Sequence, residues 1–295
     1  MPVSAKSADS TNDTDTNRGG AKVPPLMWAF AAVLALGTGV GGFIVGENYG
    51  YDRAVDALAA GELPEKENSV PVTEIPKDAK PGTDFAEPEA SEEAALIHGP
   101  GSEITSRQDI SNSARRDPND PFAVGAVDAP VVIAEFTDWE CPFCIRHANE
   151  TEPELIKEYV DTGYVRIEWN DMPINGDAAQ AAARAGRAAA EQGKFADYKK
   201  AYFEEAVQVE GHPGYGIEDF VRFAEAAGVP DIDKFREDAE SDKYDDAIAE
   251  ALDYAQGLGI TGTPGFIVND EFIGGALPVE DFRKVINAEL QKTTS

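Results

Sequence analysis

The stretch EFTDWECPFC, residues 135–144, contains both cysteines of the chain and decides its fold. The apolar run at 131–136 that leads into it has the length of a buried strand, and Pro142 fits the first turn of a helix. A helix N-terminus favours the thiolate form of Cys141, and Cys144 lies one turn further on. This arrangement is typical of thiol–disulfide exchange, with Cys141 as the exposed nucleophile and Cys144 as the more buried resolving thiol.

A partial zinc site is the alternative interpretation, because His147 completes a C-x-x-C-x-x-H pattern. Structural zinc sites take four ligands from at least two elements. His98 and His212 are the only other histidines of the chain. The redox pair is therefore the favoured reading, no cofactor or metal is predicted, and His147 is expected to be a solvated helix residue.

The charge of the chain excludes one large class of function. Its 295 residues include 25 Lys and Arg but 55 Asp and Glu, for a formal net charge of −30. Nucleic-acid binding needs clustered basic residues that neutralise phosphates, so we expect no nucleic-acid partner. An excess of acidic residues is consistent with solubility.

Residues 23–46 contain no charged residue and predict a transmembrane signal-anchor helix. Such a helix would be about 36 Å long, enough to cross a hydrocarbon core of about 30 Å. Three bases precede the run, whereas Arg53 is the only base close behind it. This bias predicts a disordered cytoplasmic tail at 1–22 and a single-pass cell-membrane protein whose C-terminal domain is extracytoplasmic. A cleaved signal peptide is the alternative.

The remaining chain divides into a spacer and a folded part. Residues 47–116 are rich in Pro, Glu, Lys and Ala and predict a flexible extracytoplasmic spacer, in which the apolar patch at 94–97 is a candidate docking segment. Residues 117–295 are expected to form one α/β domain with helices on both faces of a sheet. Its predicted elements, in chain order, are a strand at 131–136, a helix at about 141–160 bent or divided at Pro153, a strand at 164–169, a helical block at about 177–258, strands at 266–268 and 271–275, and a helix at 279–290.

Two motifs resemble the DsbA-like thioredoxin-fold oxidoreductases, in particular the membrane-anchored Gram-positive branch. DPFAVG at 120–125 with EFTDWECPFC at 135–144 looks like the opening of that family. TGTPGF at 261–266 is similar to its cis-proline loop. The resemblance covers about residues 117–290. It implies a thioredoxin fold with a helical insertion between the second and third core strands.

The resemblance also implies further site residues. Pro264 would follow a cis peptide bond after Thr263, beside the cysteines, where backbone groups can pair with a substrate strand. Glu135 corresponds to a buried carboxylate of the family that relays a proton to or from the resolving thiol. The alternative is that Glu135 points to the other face and is solvated. Phe143 stands where the strong oxidants of the family carry His, which leaves the oxidising strength open.

The predicted function is an extracytoplasmic thiol:disulfide oxidoreductase that forms disulfides in exported proteins. The resemblance suggests reoxidation by a membrane partner of the DsbB or vitamin K epoxide reductase kind. A disulfide isomerase or reductase of the same fold is an alternative, as is a tethered peptide-binding chaperone.

Near the motif, Trp139 and Trp169 are predicted to lie in the core, whereas Asp138 and Glu140 are expected to be solvated.

Overall fold

A computed structural model describes residues 74–294 of the chain. The predicted cytoplasmic tail, the predicted membrane span at 23–46 and the spacer up to residue 73 lie outside the described residues. Within 74–294, every helix is too short or too polar to cross a lipid bilayer.

The strands of the described part form one mixed sheet in the order β1-β3-β2-β4-β5. They are β1 Ala123–Val124, β2 Val131–Thr137, β3 Val165–Asp171, β4 Gly265–Val268 and β5 Glu271–Gly274. β2 and β3 are parallel, whereas β4 is antiparallel to both β2 and β5. Both central strands are buried along their whole length, which explains the nearly continuous apolar run in β2. The predicted thioredoxin-like α/β fold is confirmed.

Helices cover both faces of this sheet. They are α1 Glu92–Ala95, α2 Pro142–Glu150, α3 Glu152–Leu155, α4 Asp177–Glu191, α5 Phe195–Ala206, α6 Ile217–Ala227, α7 Ile232–Glu240, α8 Asp245–Gly257 and α9 Val279–Lys292. A 3-10 helix spans Arg107–Ser113 and a π-helix spans Ile156–Val160. The helix predicted at 141–160 is divided, because a new helical segment starts at Glu152 and Pro153 lies in its first turn, where its missing N–H is tolerated. Helices α4 to α8 form the insertion between β3 and β4.

Trp139 lies at the centre of an aromatic cluster under the insertion. Its ring stacks on Phe203 with a centroid distance of 5.3 Å and contacts Trp169 at 5.0 Å. Gly186 of α4 packs so closely that a Cβ added there would lie 2.6 Å from the Trp139 ring. Both tryptophans are buried, as predicted. The residue two positions before Cys141 is thereby anchored in the core.

Residues 74–116 pack on the domain, so the expectation of a flexible spacer is wrong for this segment. The backbone N–H groups of residues 83 and 84 donate to Asp128 Oδ1. Ala95 is buried, and its carbonyl accepts a hydrogen bond from Arg187 at 2.7 Å. The buried Arg115 guanidinium pairs with Asp120 at 2.6 Å. Composition suggested a spacer because it does not show partners such as Asp128 and Arg187, which lie 45 and 92 positions away from the residues they bond.

Candidate active site

The two cysteines are free thiols at the start of α2. Cys141 is the N-cap residue of that helix, and Pro142 occupies its first position. Cys141 is 6% exposed and Cys144 is 1% exposed. The order of exposure matches the prediction, although Cys141, the predicted nucleophile, is less exposed than the sequence suggested.

The two thiols have opposite pKa shifts. The pKa of Cys141 is lowered to about 6, chiefly by a hydrogen bond from Cys144, with further hydrogen bonds from Thr263 and from the backbone N–H groups of Cys144 and Phe143; burial opposes these effects. Burial and the neighbouring Cys141 raise the pKa of Cys144 well above its ordinary value. At neutral pH the site therefore holds a thiolate at Cys141 and a protonated thiol at Cys144. The Cys141 thiolate can attack a disulfide, whereas the Cys144 thiol stays protonated until it acts as the resolving thiol.

The loop before β4 lies directly beside Cys141. The Thr263–Pro264 peptide bond is cis, as the resemblance implied, and the Cys141 Sγ lies 3.4 Å from the Thr263 carbonyl oxygen. Antiparallel pairing explains this proximity, because Gly265 at the start of β4 lies opposite Phe136 near the end of β2. The fold thus brings together Cys141 and Thr263, which are 122 positions apart in the sequence.

Glu135 points into the protein, so the solvated alternative is wrong. Its side chain is 2% exposed. The Thr137 hydroxyl donates to Oε1 at 2.8 Å, and the Lys199 ammonium lies 3.8 Å from Oε2. Lys199 also pairs with Glu152 at 2.6 Å and lies 4.8 Å from the centroid of the Trp169 ring. A buried cluster of charged groups therefore includes the carboxylate that the resemblance singled out.

Lys199 remains charged in this cluster. Burial opposes a charge on its ammonium, but the nearby Glu152 and Glu135 outweigh burial and raise the pKa of Lys199. Cys144 acts on Lys199 in the same direction. An ammonium close enough to interact with the resolving thiol can stabilise a thiolate there.

The sequence analysis missed Lys199 and Glu152. A signal for Lys199 was present, since it lies at helical spacing between Phe195 and Phe203, within the apolar face of α5. A lysine inside such an apolar stripe needs a buried partner or a route to solvent. No comparable signal marks Glu152.

The two acidic residues that flank the motif are buried, which corrects the expectation that they are solvated. Asp138 Oδ2 accepts hydrogen bonds from Asn175 N at 2.9 Å and Asn175 Nδ2 at 2.8 Å, and burial raises the pKa of Asp138 despite these bonds. Glu140 accepts from the Tyr202 hydroxyl at 3.0 Å and from Gly214 N at 2.7 Å. These carboxylates hold the turn before Cys141 against the helical insertion.

His147 is also buried, contrary to expectation. Its ring lies between Phe266, at a centroid distance of 4.6 Å, and Phe282, at 5.2 Å. Burial lowers the pKa of His147 to about 4, so the imidazole is neutral at physiological pH. His147 therefore belongs to the core that joins α2 to β4 and α9.

Several solved structures are similar to this chain. The oxidised form of BdbD from Bacillus subtilis matches with a TM-score of 0.54 and 20% identity, over 71% of this chain and 100% of that one. A thioredoxin-like oxidoreductase from Silicibacter pomeroyi matches with a TM-score of 0.50 and 28% identity, over 62% of this chain and 97% of that one. The likeness to BdbD concerns the fold alone.

Two kinds of relatives match the sequence. The Probable disulfide bond formation protein D of Bacillus cereus is 29% identical over 197 residues, which are 62% of this chain and 88% of that protein. The Na(+)/H(+) antiporter NhaA 3 of Salinispora tropica is 34% identical over 166 residues, or 56% of this chain. This chain spans about a quarter of the antiporter's length, 24%.

The family model described as Thioredoxin matches residues 117–288, which is more than half of the chain. The matched region contains the cysteine pair, the cis-proline loop and the helical insertion. The chain therefore belongs to the thioredoxin family.

Proposed function

We propose that the Cys141–Cys144 pair forms disulfides in exported proteins. In its oxidised form, a substrate thiolate attacks Cys141 Sγ, and Cys144 leaves and takes up a proton. A second substrate thiolate then attacks the substrate sulfur of the mixed disulfide and releases Cys141 as a thiolate. The substrate gains a disulfide, and its two electrons remain on the reduced cysteine pair.

One observation carries the proposal, namely the low pKa of Cys141 beside the high pKa of Cys144. A low-pKa sulfur is a good leaving group, and a stabilised thiolate favours the reduced form of the pair. Both effects favour passing the disulfide on to the substrate. The lowering of the Cys141 pKa to about 6 is in the direction that a disulfide donor needs.

The other site residues receive roles in the same proposal. Thr263 and Pro264 present backbone groups beside Cys141 that pair with an extended substrate segment. Glu135 exchanges the proton of Cys144, and Lys199 stabilises the negative charge on either group. These roles are supported by the burial of Glu135 and by its 3.8 Å separation from the Lys199 ammonium.

A disulfide isomerase or reductase is the second candidate function, and Phe143 favours it. This residue occupies the redox motif and is 56% exposed, and its side chain offers no polar group to the Cys141 thiolate. A less stabilised thiolate lowers the oxidising power of the pair. Thiol trapping in cells separates the two directions, because an oxidase is recovered mostly as the disulfide and an isomerase or reductase mostly as the dithiol.

We further propose that the domain works outside the cytoplasm, tethered through residues 23–46, and is reoxidised by a membrane partner of the DsbB or vitamin K epoxide reductase kind. The uncharged run at 23–46 supports the tether. The match to a disulfide bond formation protein supports exported substrates. Disulfide chemistry is useful in such an oxidising compartment.

The test is oxidative refolding of a reduced, cysteine-containing substrate by the oxidised full chain. Cys141→Ser is expected to abolish disulfide formation. Cys144→Ser retains the nucleophile and, reacted with a disulfide-containing substrate, is expected to accumulate a mixed disulfide through Cys141. Unchanged refolding with Cys141→Ser refutes the proposal.

A further inference from the structure

Arg146 is an exposed cation one helical turn after Phe143 on α2. Its guanidinium carbon lies 5.2 Å from the centroid of the exposed Phe143 ring. Its Nη2 donates a hydrogen bond to the Ala276 carbonyl at 3.0 Å. Arg146 therefore contacts the redox motif on one side and the loop after β5 on the other.

The loop after β5 is in turn bonded to the cis-proline loop. Gly275, the neighbour of Ala276, donates its N–H to the Pro264 carbonyl at 2.8 Å. Pro264 follows Thr263, whose carbonyl lies 3.4 Å from Cys141 Sγ. A short series of contacts thus connects Arg146 to the loop beside the Cys141 sulfur, and its guanidinium also contacts the redox motif at Phe143.

The guanidinium has unused hydrogen-bonding capacity. Arginine carries five N–H donors. Within residues 74–294, the Arg146 side chain donates to a single acceptor, the Ala276 carbonyl. No carboxylate of these residues lies at ion-pair distance from it, whereas most other arginines in the same range have such a partner. In a chain with 55 acidic and 25 basic residues, an unpaired arginine at this place is available to an external carboxylate.

We propose that Arg146 is a specificity-determining residue that binds the carboxylate of an Asp or Glu close to the reacting cysteine of the substrate. The planar guanidinium matches a carboxylate with two parallel hydrogen bonds. It also provides a local attraction against the repulsion that a chain of net charge −30 exerts on acidic segments. This inference rests on the proposed function, because it concerns the substrate of the same site.

The test uses two peptides that differ only by Glu or Gln beside one cysteine of a dithiol pair. The measured quantity is the ratio of kcat/KM for the Glu peptide to that for the Gln peptide, with the oxidised full chain at low and high salt. An exposed ion pair changes such a ratio by about 1.5- to fivefold. Arg146→Gln is expected to lower the ratio by this factor, Arg146→Glu is expected to lower it further, and high salt is expected to bring the wild-type and Arg146→Gln ratios together.

Lys80→Gln is the matched control, because it removes one positive charge from an exposed position in the segment before the domain. It is expected to leave the ratio at the wild-type value.

An identical ratio in wild type and Arg146→Gln refutes the inference while peptide oxidation continues to support the proposed function. An equal loss of rate on both peptides also refutes it, because Arg146 then acts only through Phe143 and the loop. Failure of the wild type to oxidise either peptide refutes the proposed function, and the inference with it.

Discussion

Replacing Cys144 with alanine tests what sets the pKa of Cys141. The thiol of Cys144 is the largest cause that lowers this pKa, from an ordinary value of 9.0 to about 6. A hydrogen bond to a charged group contributes about 1.5–3 kcal/mol, and about 1.4 kcal/mol corresponds to one pH unit. Losing the bond therefore raises the pKa of Cys141 by about one to two units, to about 7–8 in Cys144→Ala.

The assay is the pH dependence of iodoacetamide alkylation. The chain has two cysteines, so each Cys144 variant carries a single thiol and the labelling is unambiguous. The pH midpoint is the useful quantity, because the intrinsic reactivity of a thiolate rises with its pKa and partly offsets the loss of thiolate at a fixed pH. Cys144→Ser is the matched control, since its hydroxyl still donates a hydrogen bond, and its midpoint is expected to stay near the wild-type value.

Two outcomes contradict this reasoning. A midpoint near 6 in both variants shows that the helix N-terminus and Thr263 lower the pKa without residue 144. A midpoint near the ordinary value of 9.0 in both variants shows that the serine hydroxyl does not replace the thiol and that the helix N-terminus contributes little.

Three further predictions concern stability. Burial lowers the pKa of His147 from 6.5 to about 4, so the free energy of unfolding is expected to fall by up to about 3 kcal/mol as the pH drops from 6.5 to about 4. Urea titrations of His147→Leu over the same pH range should lack this loss of stability. Gly186→Ala places a Cβ 2.6 Å from Trp139 and is expected to lower the free energy of unfolding by about 1–3 kcal/mol. Gly257→Ala is the control, because the space around Gly257 is open and no loss of stability is expected. Equal urea midpoints for the two variants contradict the packing argument. A chain starting at 117 is expected to unfold at lower urea than one starting at 74, and equal midpoints show that residues 74–116 add no stability.

The sequence was sufficient where the signal is local or belongs to a motif. A strand, a turn and a helix start surround Cys141 within a few residues, so short-range patterns place both thiols. The cis-proline loop and the helical insertion followed from resemblance over a longer span. The division of the helix at Pro153 was also predictable, because proline lacks the N–H that an unbroken helix requires.

Only the tertiary structure decided which charged residues are buried and with which partners. Composition made residues 74–116 look like a spacer and made Asp138 and Glu140 look solvated, because charge alone predicts exposure. Each of the two carboxylates is buried with hydrogen-bond donors from the domain. Lys199 and Glu135 are 64 positions apart, and the fold brings the Lys199 ammonium to 3.8 Å from the Glu135 carboxylate. Burial of a charge depends on a partner in space, and a single sequence does not state which distant residue that partner is.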